Sequence, residues 1–164
     1  MRILITGLLL TVAVKAFGQE TGGNGNLYWK SLVSHLEYVK TLDQDTEKPI
    51  RHIATHGLPP QTVFVRAVTG ITDGLPASWQ GFRIEYLSFP EIRSKAKKGG
   101  FYIIEISPVR LFDNKLKITI TDQTVQLKGR KDFQYMITGG SDFIYHFDCE
   151  EGMYKLLEKT HGGV

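Results

Sequence analysis

From Thr62 to Lys159, apolar residues return at every second position, in short runs separated by Gly, Asn, Asp and Pro. A period of two sends alternate side chains to opposite faces of a strand, so the larger part of this chain is committed to sheet. Seven runs qualify: Thr62–Val68, Phe82–Phe89, Phe101–Phe112, Lys115–Leu127, Phe133–Ile137, Phe143–Cys149 and Met153–Lys159. One segment ahead of them follows a different rhythm. Between Leu27 and Asp43, Tyr28, Leu32, Leu36, Val39 and Leu42 recur at spacings of four, four, three and three, with Asn26 placed as a cap. That is the stripe of an amphipathic helix, whose wet side takes Lys30, Ser34, Glu37 and Lys40. A helix followed by short-connected strands predicts an α+β fold. We expect one long N-terminal helix packed on a curved antiparallel sheet of about six strands, an outline shared by cystatin-like and NTF2-like folds. Pro49 to His56 reads as a further short helix closed by Gly57.

The central hairpin carries a register. Asp113-Asn114 forms a two-residue turn whose residues both tolerate positive φ. This sets Leu111 against Leu116, Val109 against Ile118 and Ser107 against Ile120. Beyond Asp122 the apolar parity flips, since Val125 and Leu127 are odd-numbered. A β-bulge near Asp122, opposite Glu105, restores it and places Val125 against Ile103 and Leu127 against Phe101. Tyr102, Ile104 and Ile106 are then left on the reverse face. A contiguous apolar stripe needs cover, either from a second layer or as an interaction face for a partner or a second copy.

The sole cysteine lies in Ser141-Asp142-Phe143-Ile144-Tyr145-His146-Phe147-Asp148-Cys149-Glu150-Glu151. Alternation puts Phe143, Tyr145, Phe147 and Cys149 on one side, with Ile144, His146 and Asp148 on the other. A Glu151-Gly152 turn would oppose Cys149 to Tyr154 and Phe147 to Leu156. Cys149 is therefore expected as a small buried hydrophobe with an inert thiol, not a nucleophile.

Residues 1–18 read as a cleavable signal peptide. Arg2 supplies the positive start, and Ile3 to Val14 an apolar run of twelve residues. That is too short for a helix across a hydrocarbon core of about 30 Å. Ala16-Phe17-Gly18 then offers small residues at the cleavage positions. A flexible lead-in, residues 19–26, joins this to a single domain over residues 27–164. Losing Arg2 and Lys15 lowers the formal charge of +3 by two. The remainder has no concentrated basic face of the kind nucleic acid requires. A periplasmic or secreted location without a stable membrane anchor follows. One cysteine closes no internal disulfide, so a packed core must supply the stability.

His52 and His56 stand four apart and are the candidate metal pair, with His35 a third ligand at most. Ile53 occupies the place of the glutamate that zinc hydrolases carry after the first histidine. Glu85, Glu91 and Glu105 are candidate acids without a spacing that forces two of them together. Arg93 to Gly100 is the one basic cluster and reads as a solvated hairpin connection. Gly139-Gly140-Ser141 reads as a turn.

From Tyr28-Trp29 to Gly162-Gly163-Val164, the chain resembles a group of small exported proteins of Gram-negative bacteria to which no activity is assigned. The likeness rests on Leu75-Pro76, Gly81-Phe82-Arg83-Ile84, Ile106-Ser107-Pro108-Val109, Asn114-Lys115-Leu116-Lys117-Ile118 and Phe147-Asp148-Cys149-Glu150. His146 departs from the group, where an acid is commoner. The resemblance implies a shared fold and export, and brings no activity with it. No catalytic set or cofactor is expected. The leading expectation is a non-catalytic binding module for a protein, a small molecule or a second copy. A metal-dependent hydrolase on His52 and His56, and an envelope structural or inhibitory protein, are the alternatives.

Overall fold

The computed structural model describes residues 26–45, 61–129 and 132–163. Residues 1–25, which hold the expected signal peptide and most of the expected lead-in, and the segment carrying Pro49, His52 and His56 lie outside the described residues.

Helix α1 (Leu27–Asp45) begins where the sequence places it. Asn26 Oδ1 accepts hydrogen bonds from the backbone N–H of Tyr28 at 2.9 Å and of Trp29 at 3.4 Å, relieving two of the helix's orphan donors. Trp29, Leu32, Leu36 and Val39 go down into the core. Ser31 and His35, beside that stripe, go down with them.

The strands are β1 (Gln61–Arg66), β2 (Ser78–Trp79), β3 (Phe82–Leu87), β4 (Phe101–Ile106), β5 (Arg110–Phe112), β6 (Lys115–Lys128), β7 (Asp132–Asp148) and β8 (Met153–Gly163). Among the described residues they form one eight-stranded sheet in the order β2-β3-β1-β4-β6-β7-β8, with β5 also pairing β6. Most ladders are antiparallel, but β1 lies between β3 and β4 and runs parallel to both. The α+β class holds. The expectation of one helix and about six antiparallel strands does not, because parity along a strand carries no information about its neighbour's direction.

The second helix, α2 (Phe89–Ala96), crosses between β3 and β4, and such a crossover is what parallel strands require. Its start has a chemical cause. The Ser88 N–H donates to Glu91 Oε2 at 2.8 Å, half of a capping box, and Pro90 suits the first turn. The basic cluster thus lies on α2 and just beyond it, not in a hairpin.

The two helices cover opposite faces of the sheet. Under α1, Ile104 and Ile106 join Val63, Val65, Ile118, Ile120, Phe143 and Tyr145. Under α2, Ile92 and Ala96 pack with Phe101, Ile103 and Val125. Strand β4 therefore feeds both layers and is buried on each side. Ile104 and Ile106 are core residues at 6% and 1% exposure, so the expected interaction stripe is not a free surface, and Tyr102 beside them is half-buried.

The hairpin turn is as expected. Asp113 and Asn114 take φ of 44° and 57°, and Leu111 opposes Leu116. The stutter sits elsewhere. Ile106, not Ser107, opposes Ile120, and Phe101, not Ile103, opposes Val125. The extra residue is absorbed at Ser107-Pro108-Val109, where proline cannot continue the ladder. At Asp122 the β4 ladder runs through unbroken. The irregularity there is on the other side, where β7 carries one additional residue, Thr138. Gly139-Gly140 follows inside β7 and is no turn. A Cβ on Gly140 would stand 2.5 Å from the Ile120 carbonyl oxygen, so only glycine lets β7 lie this close to β6.

The last hairpin also differs. Phe147 opposes Tyr154 and Asp148 opposes Met153, so Cys149 falls in the turn and is exposed. The expectation of a buried thiol is wrong, because the strand ends one residue before it. Asp148 organises this turn, its Oδ1 accepting the N–H groups of Glu150 and Glu151 at 2.9 and 3.1 Å.

Candidate functional site

Two features on the α1 side stand apart from ordinary packing. The first is a polar chain inside the apolar layer. His35 on α1 is fully buried; its Nδ1 lies 2.7 Å from Ser141 Oγ on β7, and its Nε2 lies 3.0 Å from Asp122 Oδ1 on β6. The same Ser141 Oγ lies 2.7 Å from Nδ1 of His161 on β8. Tyr38 stacks on the His161 ring at 4.1 Å and 9°, and Phe143 meets it edge-on at 6.0 Å. One turn earlier on α1, Ser31 Oγ and Tyr145 Oη share a hydrogen bond of 2.8 Å. Buried polar atoms are tolerable only when partnered, and each of these is.

The carboxylate fixes the proton positions. An ionised Asp122 can only accept, so His35 Nε2 carries a hydrogen. With His35 neutral, its Nδ1 accepts from the Ser141 hydroxyl, and His161 Nδ1–H donates to the Ser141 oxygen. Burial first, then Lys159 and His35, push the His161 imidazole below its ordinary range.

Aspartate, histidine and serine in hydrogen-bonded series are the components of an acyl-transfer relay. Here they cannot act as one. Ser141 is 4% exposed beneath α1, and its oxygen is already engaged by His161. A nucleophile needs an open approach to its substrate. The chain therefore holds protons and orients α1, β6, β7 and β8 against one another.

The second feature is an apolar row across the sheet. Leu111 opposes Leu116, Leu116 opposes Tyr145, and Tyr145 opposes Leu156, so four strands present these side chains on the α1 face. The next pair outward, Phe147 and Tyr154, is an edge-on aromatic contact of 5.2 Å. Of this group, Tyr145 is buried and Leu116 half-buried in the layer beneath α1. Leu111 is 74% exposed, Phe147 47% and Leu156 45%.

The other sequence candidates are scattered. Glu105 pairs with Arg66 at 2.9 Å, Glu85 with Arg83 at 3.2 Å, and Glu91 closes the α2 cap. Each of these acids thus has a partner of its own. Lys95 places Nζ 3.8 Å above the Phe64 ring, a cation–π contact that holds part of the basic cluster against the sheet. His35 has both ring nitrogens engaged, Nδ1 by Ser141 and Nε2 by Asp122. Among the described residues, no three His, Cys, Asp or Glu side chains are grouped to hold an ion, while His52 and His56 lie outside them. No described helix is long and apolar enough to cross a membrane.

Comparison with protein-family models, curated proteins and solved structures finds no match to this chain. Fold and site together define an α+β module with a buried polar chain and an open apolar row.

Proposed function

We propose that the protein is an exported, non-catalytic binding module that docks its partner on the apolar row beyond the start of α1. One observation carries this reading: Leu156, Phe147 and Tyr154 are exposed on a single face and adjacent across β7 and β8, and Leu111 is exposed on the same face beyond Leu116 and the buried Tyr145. Isolated exposed leucines are ordinary on a protein surface, whereas contiguous ones favour a contact that removes them from water. The sheet's outer edge at this end is a less suitable contact. Strand β8 carries Lys155 and Lys159 and a register shift near Tyr145, features that discourage strand addition. The partner therefore packs face-on. The leader at residues 1–18 supports export.

The test is the double variant Leu111→Asp/Leu156→Asp, compared with wild type for binding of the dye anilinonaphthalene sulfonate and for sedimentation. The row predicts dye binding or self-association in wild type and its loss in the variant, with an unchanged circular dichroism spectrum. Wild type that neither binds dye nor self-associates, or a variant that behaves identically, removes the row as a docking surface.

A further inference from the structure

A single hydroxyl held between two imidazoles limits how many protons a site can carry. Ser141 Oγ contacts Nδ1 of His35 and Nδ1 of His161, each at 2.7 Å. A hydroxyl has one hydrogen and two lone pairs. Both contacts are hydrogen bonds only when one Nδ1 carries a hydrogen and the other does not. In the neutral arrangement His161 donates and His35 accepts. One added proton is also accommodated, if His35 becomes the donor and His161 the acceptor. Two added protons put a hydrogen on both Nδ1 atoms. The Ser141 hydrogen then has no acceptor at a place closed to water, and two cations share one carboxylate.

We infer that Asp122, His35, Ser141 and His161 form an acid sensor that stores one proton and lets go of His161 when a second arrives. Its route is defined atom by atom. His161 is half-buried on the edge strand, whereas His35 has no exposed surface, so the proton enters from water at His161 Nε2. The His161 Nδ1–H bond then breaks as Ser141 Oγ takes that hydrogen. The original Oγ–H bond breaks as its hydrogen passes to His35 Nδ1. Ser141 is regenerated, and the positive charge moves from His161 to His35, where Nε2–H faces Asp122 Oδ1 at 3.0 Å. A second proton at His161 finds no such carboxylate.

The surroundings favour this order. Among the described residues, the groups facing the chain are His35 and Tyr38 from α1, Asp122 from β6, Ser141 and Phe143 from β7, and Lys159 and His161 from β8. Lys159 opposes a charge on His161 and burial opposes it further. Glu37 and Lys40 of α1 are exposed on its far side, and Asp142 is engaged with Lys117 at 2.8 Å on the opposite face of the sheet. None of this depends on what the apolar row binds.

The test is nitrogen-detected NMR of the histidine rings in the full chain across pH, with amide hydrogen exchange. At pH about 7.5, His161 is expected as the Nδ1–H tautomer and His35 as the Nε2–H tautomer. On acidification, His35 becomes the imidazolium while His161 switches to the Nε2–H form. The unfolded chain then takes two protons where the folded chain takes one. Protection at the ends of α1 and β8 therefore falls by up to about tenfold per pH unit, against constant protection in β4. Ser141→Ala is expected to abolish the tautomer switch and let both rings titrate independently. His161 found as the Nε2–H form at pH about 7.5, or protection that ignores pH, overturns the inference. So does a tautomer switch that survives in Ser141→Ala. If that variant does not fold, the wild-type tautomers alone decide.

Discussion

The two faces of the sheet are packed by different chemistry. Beneath α2 the layer is dry: Leu87, Ile92, Ala96, Phe101, Ile103 and Val125 contain no polar side-chain atom. Beneath α1 the layer is larger and carries Ser31, His35, Ser141 and Tyr145 linked by hydrogen bonds, with Asp122 at its rim. An apolar layer is insensitive to pH and tolerates any residue of suitable volume. A hydrogen-bonded chain has one correct arrangement and fails when a member is removed, because the partner left behind is buried and unpaired. The dry face thus supplies stability alone, whereas the wet one adds a response to protons and a fixed placement of α1.

The largest expected effect ignores that difference. Phe143→Ala, beneath α1 and fully buried, is expected to cost about 3–5 kcal/mol in denaturant unfolding, and Ile92→Ala beneath α2 about 2–5 kcal/mol. The loss in Ile92→Ala should not change between pH about 7.5 and 5.5. A pH-dependent loss in Ile92→Ala would break the comparison. Next in size is His35→Leu, which keeps the apolar contacts but removes the partner of Asp122 and one of the two partners of Ser141, at about 1–3 kcal/mol. Unlike Ile92→Ala, it should also flatten the pH dependence of stability. Below that comes Ser88→Ala at the α2 cap, about 0.5–2 kcal/mol. It should loosen α2 in hydrogen exchange and leave α1 unchanged.

The smallest effect lies outside both layers, at the β7–β8 turn. The hydrogen bond from Lys155, then the N–H groups of Glu151 and Glu150, hold Asp148 down to about 2. A depressed carboxyl contributes stability above its unfolded pKa and loses it as pH falls through the folded value. Asp148→Asn should therefore matter little at neutral pH, and should remove a small acid-induced loss between about pH 4 and 2.

Legibility in the sequence followed the range of the interactions. Helix α1 and its Asn26 cap were readable because stripe and cap are local. The Asp113-Asn114 turn was readable for the same reason, and it fixed Leu111 against Leu116. The register failed beyond Pro108, because the extra residue lies at Ser107-Pro108-Val109 instead of at Asp122: the slip is one residue at Ile120, which turns Ile104 and Ile106 to the α1 face, and two at Val125. Ser88, Pro90 and Glu91 announce the start of α2, but Lys95, Lys97 and Lys98 ahead of Gly99-Gly100 have the composition of a solvated connection. Cys149 was misplaced by the same indifference of parity to where a strand ends. The polar chain had almost no local signal. His35 and Ser31 flank the apolar stripe of α1, which hints at a polar contact, but Asp122, Ser141 and His161 come from three strands distant in sequence. Only the topology brings them together.

Denaturant unfolding at pH about 7.5 and 5.5 tests most directly that the α1 side holds protons and the α2 side does not. A depressed imidazole contributes stability above its unfolded pKa, here 6.5, and loses it as pH falls toward the folded value. The other shifted groups act elsewhere. Asp148, Asp142 and Glu91 are lowered carboxyls that respond only in stronger acid, whereas Lys155, Tyr86 and Tyr145 are raised and respond in alkali. Wild type is expected to be less stable at pH about 5.5 than at 7.5, and His161→Phe, which keeps the ring against Tyr38, to be equally stable at both. Equal stability in wild type, or the same loss persisting in His161→Phe, would contradict it.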